Sequence, residues 1–231
     1  MNADRRMTTV AGVLIILGII AGVLSVVPSV EGGDYLTKVS SNKNQVLLGA
    51  CFQFFLVPIY IGFALSLYPI LKQYKENLAI GFVSFRVIAG VFQIVGVVSL
   101  PLFLFLSQEF IKIEPSDAFY FETLGELLKL GRDLANHLGV MLATGIGNLM
   151  LYYILYKTKL IPNWLSLWGV LGNTLAMLSS FLILFGYMDV ISIAFAFMTI
   201  PLVLQEVILS IWLIVKGFDK EELTILSQNR S

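Results

Sequence analysis

Long apolar runs separated by short polar clusters dominate the chain. They cover residues 8–30, 45–71, 78–107, 133–156, 163–187 and 190–216. A bilayer core about 30 Å thick is crossed by about 20 helical residues, so every run is long enough to span it. Backbone groups inside hydrocarbon must be satisfied within their own segment, and no apolar–polar alternation marks the strands of a barrel. The pattern predicts an all-α polytopic bundle of six transmembrane helices in a single membrane domain, followed by a short polar tail at 217–231. The first run follows Arg5 and Arg6, as in a signal peptide. It is long for one, and no small-residue cleavage pattern follows it, so it reads as a retained first helix.

The basic residues give the expected orientation, because cytoplasmic segments carry the excess of Lys and Arg. With the N-terminus inside, the cytoplasmic segments hold Arg5, Arg6, Lys72, Lys75, Lys157, Lys159, Lys216, Lys220 and Arg230. The outer segments hold Lys38, Lys43, Lys112 and Lys129. Both termini are therefore expected in the cytoplasm. Tyr68, Tyr74, Tyr152, Tyr153, Tyr156, Trp164, Trp168 and Trp212 fall near the proposed inner ends, where an aromatic belt is expected. The inner connections at 72–77 and 157–162 are short, which makes the spans they join antiparallel neighbours. Outside, 31–44 reads as a polar loop. Within 108–131, Pro115-Ser-Asp precedes Phe119, Leu124, Leu127 and Leu128, set against Glu122, Glu126 and Lys129. That spacing predicts a short amphipathic helix on the outer surface or across the end of the bundle.

Composition agrees with this class and narrows the chemistry. The chain of 231 residues is 58% hydrophobic and only 13% charged, against about a quarter charged in soluble domains. A formal net charge of zero gives no basis for nucleic-acid binding. A single cysteine, Cys51, and a single histidine, His137, leave no internal disulfide and no multi-Cys or multi-His metal centre. No P-loop, nucleophile elbow or HExxH motif occurs, and neither a cofactor nor a metal is implied.

The polar residues inside the apolar runs are the informative ones. A charge in hydrocarbon costs roughly 2.5–3.5 kcal/mol on insertion scales and usually faces the protein interior. From the helical rise, Arg86 lies about 12 Å from the inner end of the third span, and Glu206 about 15 Å from that of the sixth. Asn148 and Asn173 reach similar depths. One layer can therefore gather Arg86, Asn148, Asn173, Gln205 and Glu206. Gln93, seven residues after Arg86, extends the same face outward. Near the outer end of the fourth span, Asp133 and His137 share a face at i, i+4, and Arg132 pairs in the same way with Asn136. Thr144 and Asn148 continue the stripe inward. Two readings stay open: a buried clasp that fixes helix packing, or a ligand, ion or proton site. Pro58, Pro101 and Pro201 predict kinks. Gly18/Gly22 and Gly145/Gly147 predict close helix packing.

Several ordered phrases resemble a bacterial family of multi-spanning membrane proteins catalogued as domain of unknown function 4386. They are Asp34-Tyr-Leu-Thr-Lys-Val, Leu78-Ala-Ile-Gly-Phe-Val-Ser-Phe-Arg86-Val-Ile and Leu106-Ser-Gln-Glu-Phe. Further along come Gly131-Arg-Asp, Lys159-Leu-Ile-Pro-Asn-Trp-Leu-Ser-Leu-Trp-Gly169, and Gln205-Glu through Trp212-Leu-Ile-Val-Lys-Gly-Phe218. The resemblance covers nearly the whole chain. It implies a compact multi-pass protein of the inner (plasma) membrane, and no established activity. In the family pattern a Glu often follows the arginine of the third span by three residues; here that position is Ala89. The departure leaves Glu206 as the partner for Arg86, or leaves Arg86 free for an anion.

The leading expectation is a non-enzymatic membrane protein in contact with the lipid bilayer. It would bind or pass a small ligand, ion or lipid head group at the polar layer. One alternative is a structural or regulatory subunit acting through a partner membrane protein. Another is an intramembrane lipid-modifying enzyme, for which His137, Asp133, Arg132 and Glu206 are the acid–base groups on offer.

Overall fold

A computed structural model describes residues 3–114 and 118–228. Two features of the sequence reading, Pro115-Ser-Asp and Arg230, lie outside the described residues. The helices are α1 (Ala3–Leu24), α2 (Pro28–Glu31), α3 (Tyr35–Ser41), α4 (Lys43–Phe110) and α5 (Ala118–Asp133). A π-helical segment, Leu134–Val140, leads into α6 (Met141–Thr158). Then follow α7 (Asn163–Leu184), α8 (Ile193–Val215) and α9 (Lys220–Gln228). No strand occurs among the described residues.

Five helical stretches are long and apolar enough to cross a membrane: Asp4–Leu24, Lys43–Phe110, Ala118–Thr158, Asn163–Leu184 and Ile193–Val215. The second and third spans are expected to be separated by a short connection at 72–77. Instead, helix runs through that region, and only Lys75 leaves helical geometry, with φ −153° and ψ 100°. That one residue suffices to fold α4 into a hairpin. The Phe63 and Phe82 rings meet edge to face at 5.7 Å, and Gly90 lies against Val57. The arms 43–74 and 76–110 are therefore antiparallel.

Other boundaries differ as well. The expected fourth span, 133–156, begins much earlier in the structure, because α5 runs without a break through the π-helical turn into α6. The short amphipathic helix expected in 108–131 is thus the first part of a longer rod. The expected fifth span, 163–187, is α7, which stops at Leu184; just beyond it Gly186 adopts φ 71° and turns the chain. The segment read as a polar outer loop contains α3, which buries Tyr35, Leu36 and Val39. It is pinned to α4 by Ser107, whose hydroxyl donates to the Leu36 carbonyl at 2.6 Å and accepts from the Ser40 amide at 2.9 Å.

Packing closes the helices into a ring. α1 lies against α4 and α8, α4 against α6, α6 against α7, and α7 against α8. Small residues permit the close approaches. A Cβ on Gly172 would stand 3.0 Å from the Leu202 Cα, so α7 and α8 touch backbone to backbone there. One apolar core, including Phe82, Leu151, Leu155, Leu209 and Leu213, fills one end of the ring. A second, including Val30, Tyr35, Val39, Leu100 and Phe103, fills the other. Outside, Val10, Leu17, Phe54, Phe55, Val91, Phe105, Leu171, Phe197 and Ile211 are exposed. An apolar girdle of that extent suits lipid and not water, and it marks the molecule as membrane-embedded.

The end of the molecule that holds the N-terminus is tied together by Arg5. The last carbonyls of a helix have no partner within it. Arg5 supplies donors to three of them on α8, bonding Leu213 O at 2.9 Å, Val215 O at 2.8 Å and Ile214 O as well. Gly217, at φ 75°, sits directly against this guanidinium, where a Cβ would collide with it.

Candidate functional site

Arg86 lies on the outgoing arm of α4 and is buried, with 6% of its surface accessible. Its guanidinium stands over three aromatic rings: Phe63 at 5.0 Å, Phe82 at 5.6 Å and Tyr60 at 5.7 Å. Phe82 precedes Arg86 by one helical turn, and the hairpin brings in Tyr60 and Phe63. Desolvated cation–π contacts contribute about 2 kcal/mol or more, which offsets part of the insertion cost. The guanidinium also bonds the Asn148 side chain on α6.

Arginine is a donor only, so it fixes the polarity of the chain behind it. Asn148 turns its oxygen to Arg86 and donates through Nδ2 to Asn173 Oδ1 on α7, at 2.9 Å. Asn173 then donates to the Gly169 carbonyl of its own helix at 2.7 Å. A parallel chain starts one turn after Asn148, at Tyr152. The Tyr152 hydroxyl donates to Gln205 Oε1 on α8 at 2.7 Å, and Gln205 Nε2 donates to the Leu165 carbonyl at 3.2 Å. These buried amides link α4, α6, α7 and α8.

Glu206 adjoins Gln205 and shares a cavity with Arg86, but no ion pair or hydrogen bond joins the two. The expected Arg86–Glu206 pair is replaced by Arg86–Asn148, because the aromatic rings direct the guanidinium toward α6. Its Nε is buried with no hydrogen-bond partner.

The cavity measures about 290 Å³. Tyr60, Phe63, Arg86, Asn148, Tyr152 and Glu206 form its polar and aromatic side. α1 contributes Leu14, Ile15, Gly18, Ile19, Gly22 and Val23 to its apolar lining. A Cβ on Gly22 would meet nothing within 4 Å. Gly22 therefore opens space and does not serve close packing. Gly145 and Gly147 do serve it, against Met177 and Phe85.

The remaining candidates lie elsewhere. Gln93 is buried on α4 and makes no bond in this network. Arg132 and Asp133 form a separate cluster with Glu31 and Lys129. Arg132, 6% exposed, pairs with Glu31 at 2.7 Å and lies 3.7 Å from Asp133. Lys129 donates to the Glu31 carbonyl at 2.7 Å. The i, i+4 contacts expected from Asp133 to His137 and from Arg132 to Asn136 are not made. The π-helical segment hydrogen-bonds i to i+5, which widens the turn and takes i, i+4 residues out of stack. His137 instead meets Phe195 edge to face at 5.5 Å, and Asn136 packs on Gly96.

Tyr152, expected in the interfacial belt, lies elsewhere. It is 1% exposed and belongs to the polar centre, and its i, i+4 spacing from Asn148 is the signal that could have shown this. Tyr153, Tyr156 and Trp164 are exposed, as lipid-facing aromatics are. The aromatic surround of Arg86 was half legible through Phe82. The α1 wall left no mark in the sequence beyond the Gly18/Gly22 spacing.

Ring and cavity together define a membrane-embedded helical protein with a charged, aromatic-lined chamber inside its apolar span. The chain belongs to the family described as Domain of unknown function (DUF4386), whose pattern matches residues 10–217. No curated protein and no solved structure matches it.

Proposed function

We propose that this protein is a multi-pass inner-membrane protein of bacterial type that binds or passes a small polar ligand in the Arg86 chamber. The reading has six crossings, the α4 hairpin supplying two, and both termini in the cytoplasm. The observation that carries it is a buried guanidinium, with a free Nε, facing a cavity that also presents a carboxylate not paired with it. A clasp whose role is only packing would bring the two charges together, since an unpaired buried charge is costly. Ligand sites are typically concave, mostly apolar and furnished with a few convergent polar groups, as this one is.

The orientation is supported by what the fold gathers at one end. Arg5 meets the end of α8, and Gln73, next to the α4 turn, lines the same cleft as Arg5, Lys216 and Lys220. The Asp219 amide bonds Leu160 in the α6–α7 turn at 3.0 Å. That end thus collects Arg5, Lys72, Lys75, Lys157, Lys159, Lys216 and Lys220, as the positive-inside rule requires of a cytoplasmic face.

The test is native mass spectrometry of protein extracted from its own membrane. Wild type is expected to carry a small bound mass that is lost in Gly22→Phe, which fills the chamber, and in Arg86→Gln. A wild type with no bound mass, or variants that retain it at wild-type occupancy, would defeat the reading.

A further inference from the structure

Resting on that reading, we infer that the chamber takes a zwitterion attached to an apolar tail: an anionic group against Arg86 and an ammonium against Glu206. Arg86 and Glu206 face the same small cavity without touching each other. No ion pair joins Glu206 to a basic residue among the described residues, and Arg86 Nε has no acceptor. In a low-dielectric site, a ligand carrying one charge satisfies one of these groups and is repelled by the other. A ligand carrying both, a few bonds apart, satisfies both.

The walls specify the rest of the molecule. Leu14, Ile15 and Ile19 on α1 are apolar, and Val23 at the same wall is 69% exposed on the lipid-facing surface. Gly22, with open space where a Cβ would stand, thins that wall, while Gly18 packs against Ile59; the chamber thus borders the bilayer along α1. At about 290 Å³ it lies at the small end of ligand sites. It therefore admits a compact polar head and leaves a longer apolar tail in the membrane. Two sources share this chemistry: a zwitterionic phospholipid with a primary ammonium, and a free amino acid with an apolar side chain.

The experiment titrates delipidated, detergent-solubilised full-length protein with three probes: lysophosphatidylethanolamine, lysophosphatidylglycerol and L-leucine. Bound fractions are read by native mass spectrometry, and folding by circular dichroism and thermal melting. Wild type is expected to prefer the ethanolamine lipid over the glycerol lipid by at least about tenfold. Glu206→Gln should bring the two within about twofold of each other, because the repulsion of the anionic lipid is gone. Arg86→Gln should weaken both, and Arg86→Lys should restore part of the binding. Leucine that binds and displaces the ethanolamine lipid would assign the free amino acid as the source; leucine without effect would assign the lipid.

Equal binding of both lipids by wild type, with no leucine binding, overturns the zwitterion. So does a preference that Glu206→Gln leaves unchanged. In either case, binding that still requires Arg86 and is blocked by Gly22→Phe keeps the chamber as an anion site. Binding of every probe unaffected by Gly22→Phe removes the chamber itself. If Glu206→Gln does not fold, Glu206→Asp serves in its place, and the preference is expected to fall without reversing.

Discussion

Asn148 occupies the pivot of the buried network, since it both receives the guanidinium and hands a hydrogen bond on to α7. Hydrogen bonds to charged groups contribute about 1.5–3 kcal/mol, and an orphaned buried donor costs a similar amount. Asn148→Ala is therefore expected to lower stability by about 2 kcal/mol or more. Asn173→Ala should cost less, because Arg86 keeps its acceptor. Thermal or denaturant unfolding in detergent gives both values, and the reverse order would show that the chain is not organised around Arg86. Arg86 itself was legible as a polar residue in an apolar run. Its partner was not, because depth along a helix says nothing about which neighbour its face meets.

Among elements, α8 depends on a residue at the far end of the chain. Arg5 covers the Leu213, Ile214 and Val215 carbonyls, which would otherwise be unsatisfied near the membrane surface. Arg5→Ala is expected to fray the last turn of α8 and cost about 2 kcal/mol. Hydrogen exchange should rise at residues 213–218 and stay unchanged in α6. Arg5→Lys should rescue only partly, since an ammonium cannot fork across several carbonyls as a guanidinium does. Protection at 213–218 equal to wild type in Arg5→Ala would show that water or lipid head groups cap α8 instead. The helices themselves were readable from apolar run length. Their joints were less so. The α4 turn consumes one residue where the polar cluster suggested six, and the π-helical turn at Leu134–Val140 has no compositional sign.

For the whole molecule, the proposed topology of six crossings with both termini inside can be tested directly. Periplasmic alkaline phosphatase fused within 31–44, or after residue 188, is expected to be active. Fluorescent protein fused at the C-terminus is expected to be bright inside the cell. An active phosphatase at the C-terminus would reverse the orientation or change the number of crossings. The membrane class, the all-helical character and the presence of Arg86, Asn148, Asn173 and Glu206 within apolar runs can be read from the amino-acid sequence alone. Each of those follows from one-dimensional quantities: run length, charge position and rise per residue. Three-dimensional packing, in contrast, turns Arg86 to Asn148 within an aromatic surround, leaves Glu206 facing a chamber, and makes α1 one wall of that chamber. Those outcomes depend on how each helix is rotated and which helix lies beside it. Packing of small and large side chains across the ring sets both, and no spacing along a single helix records them.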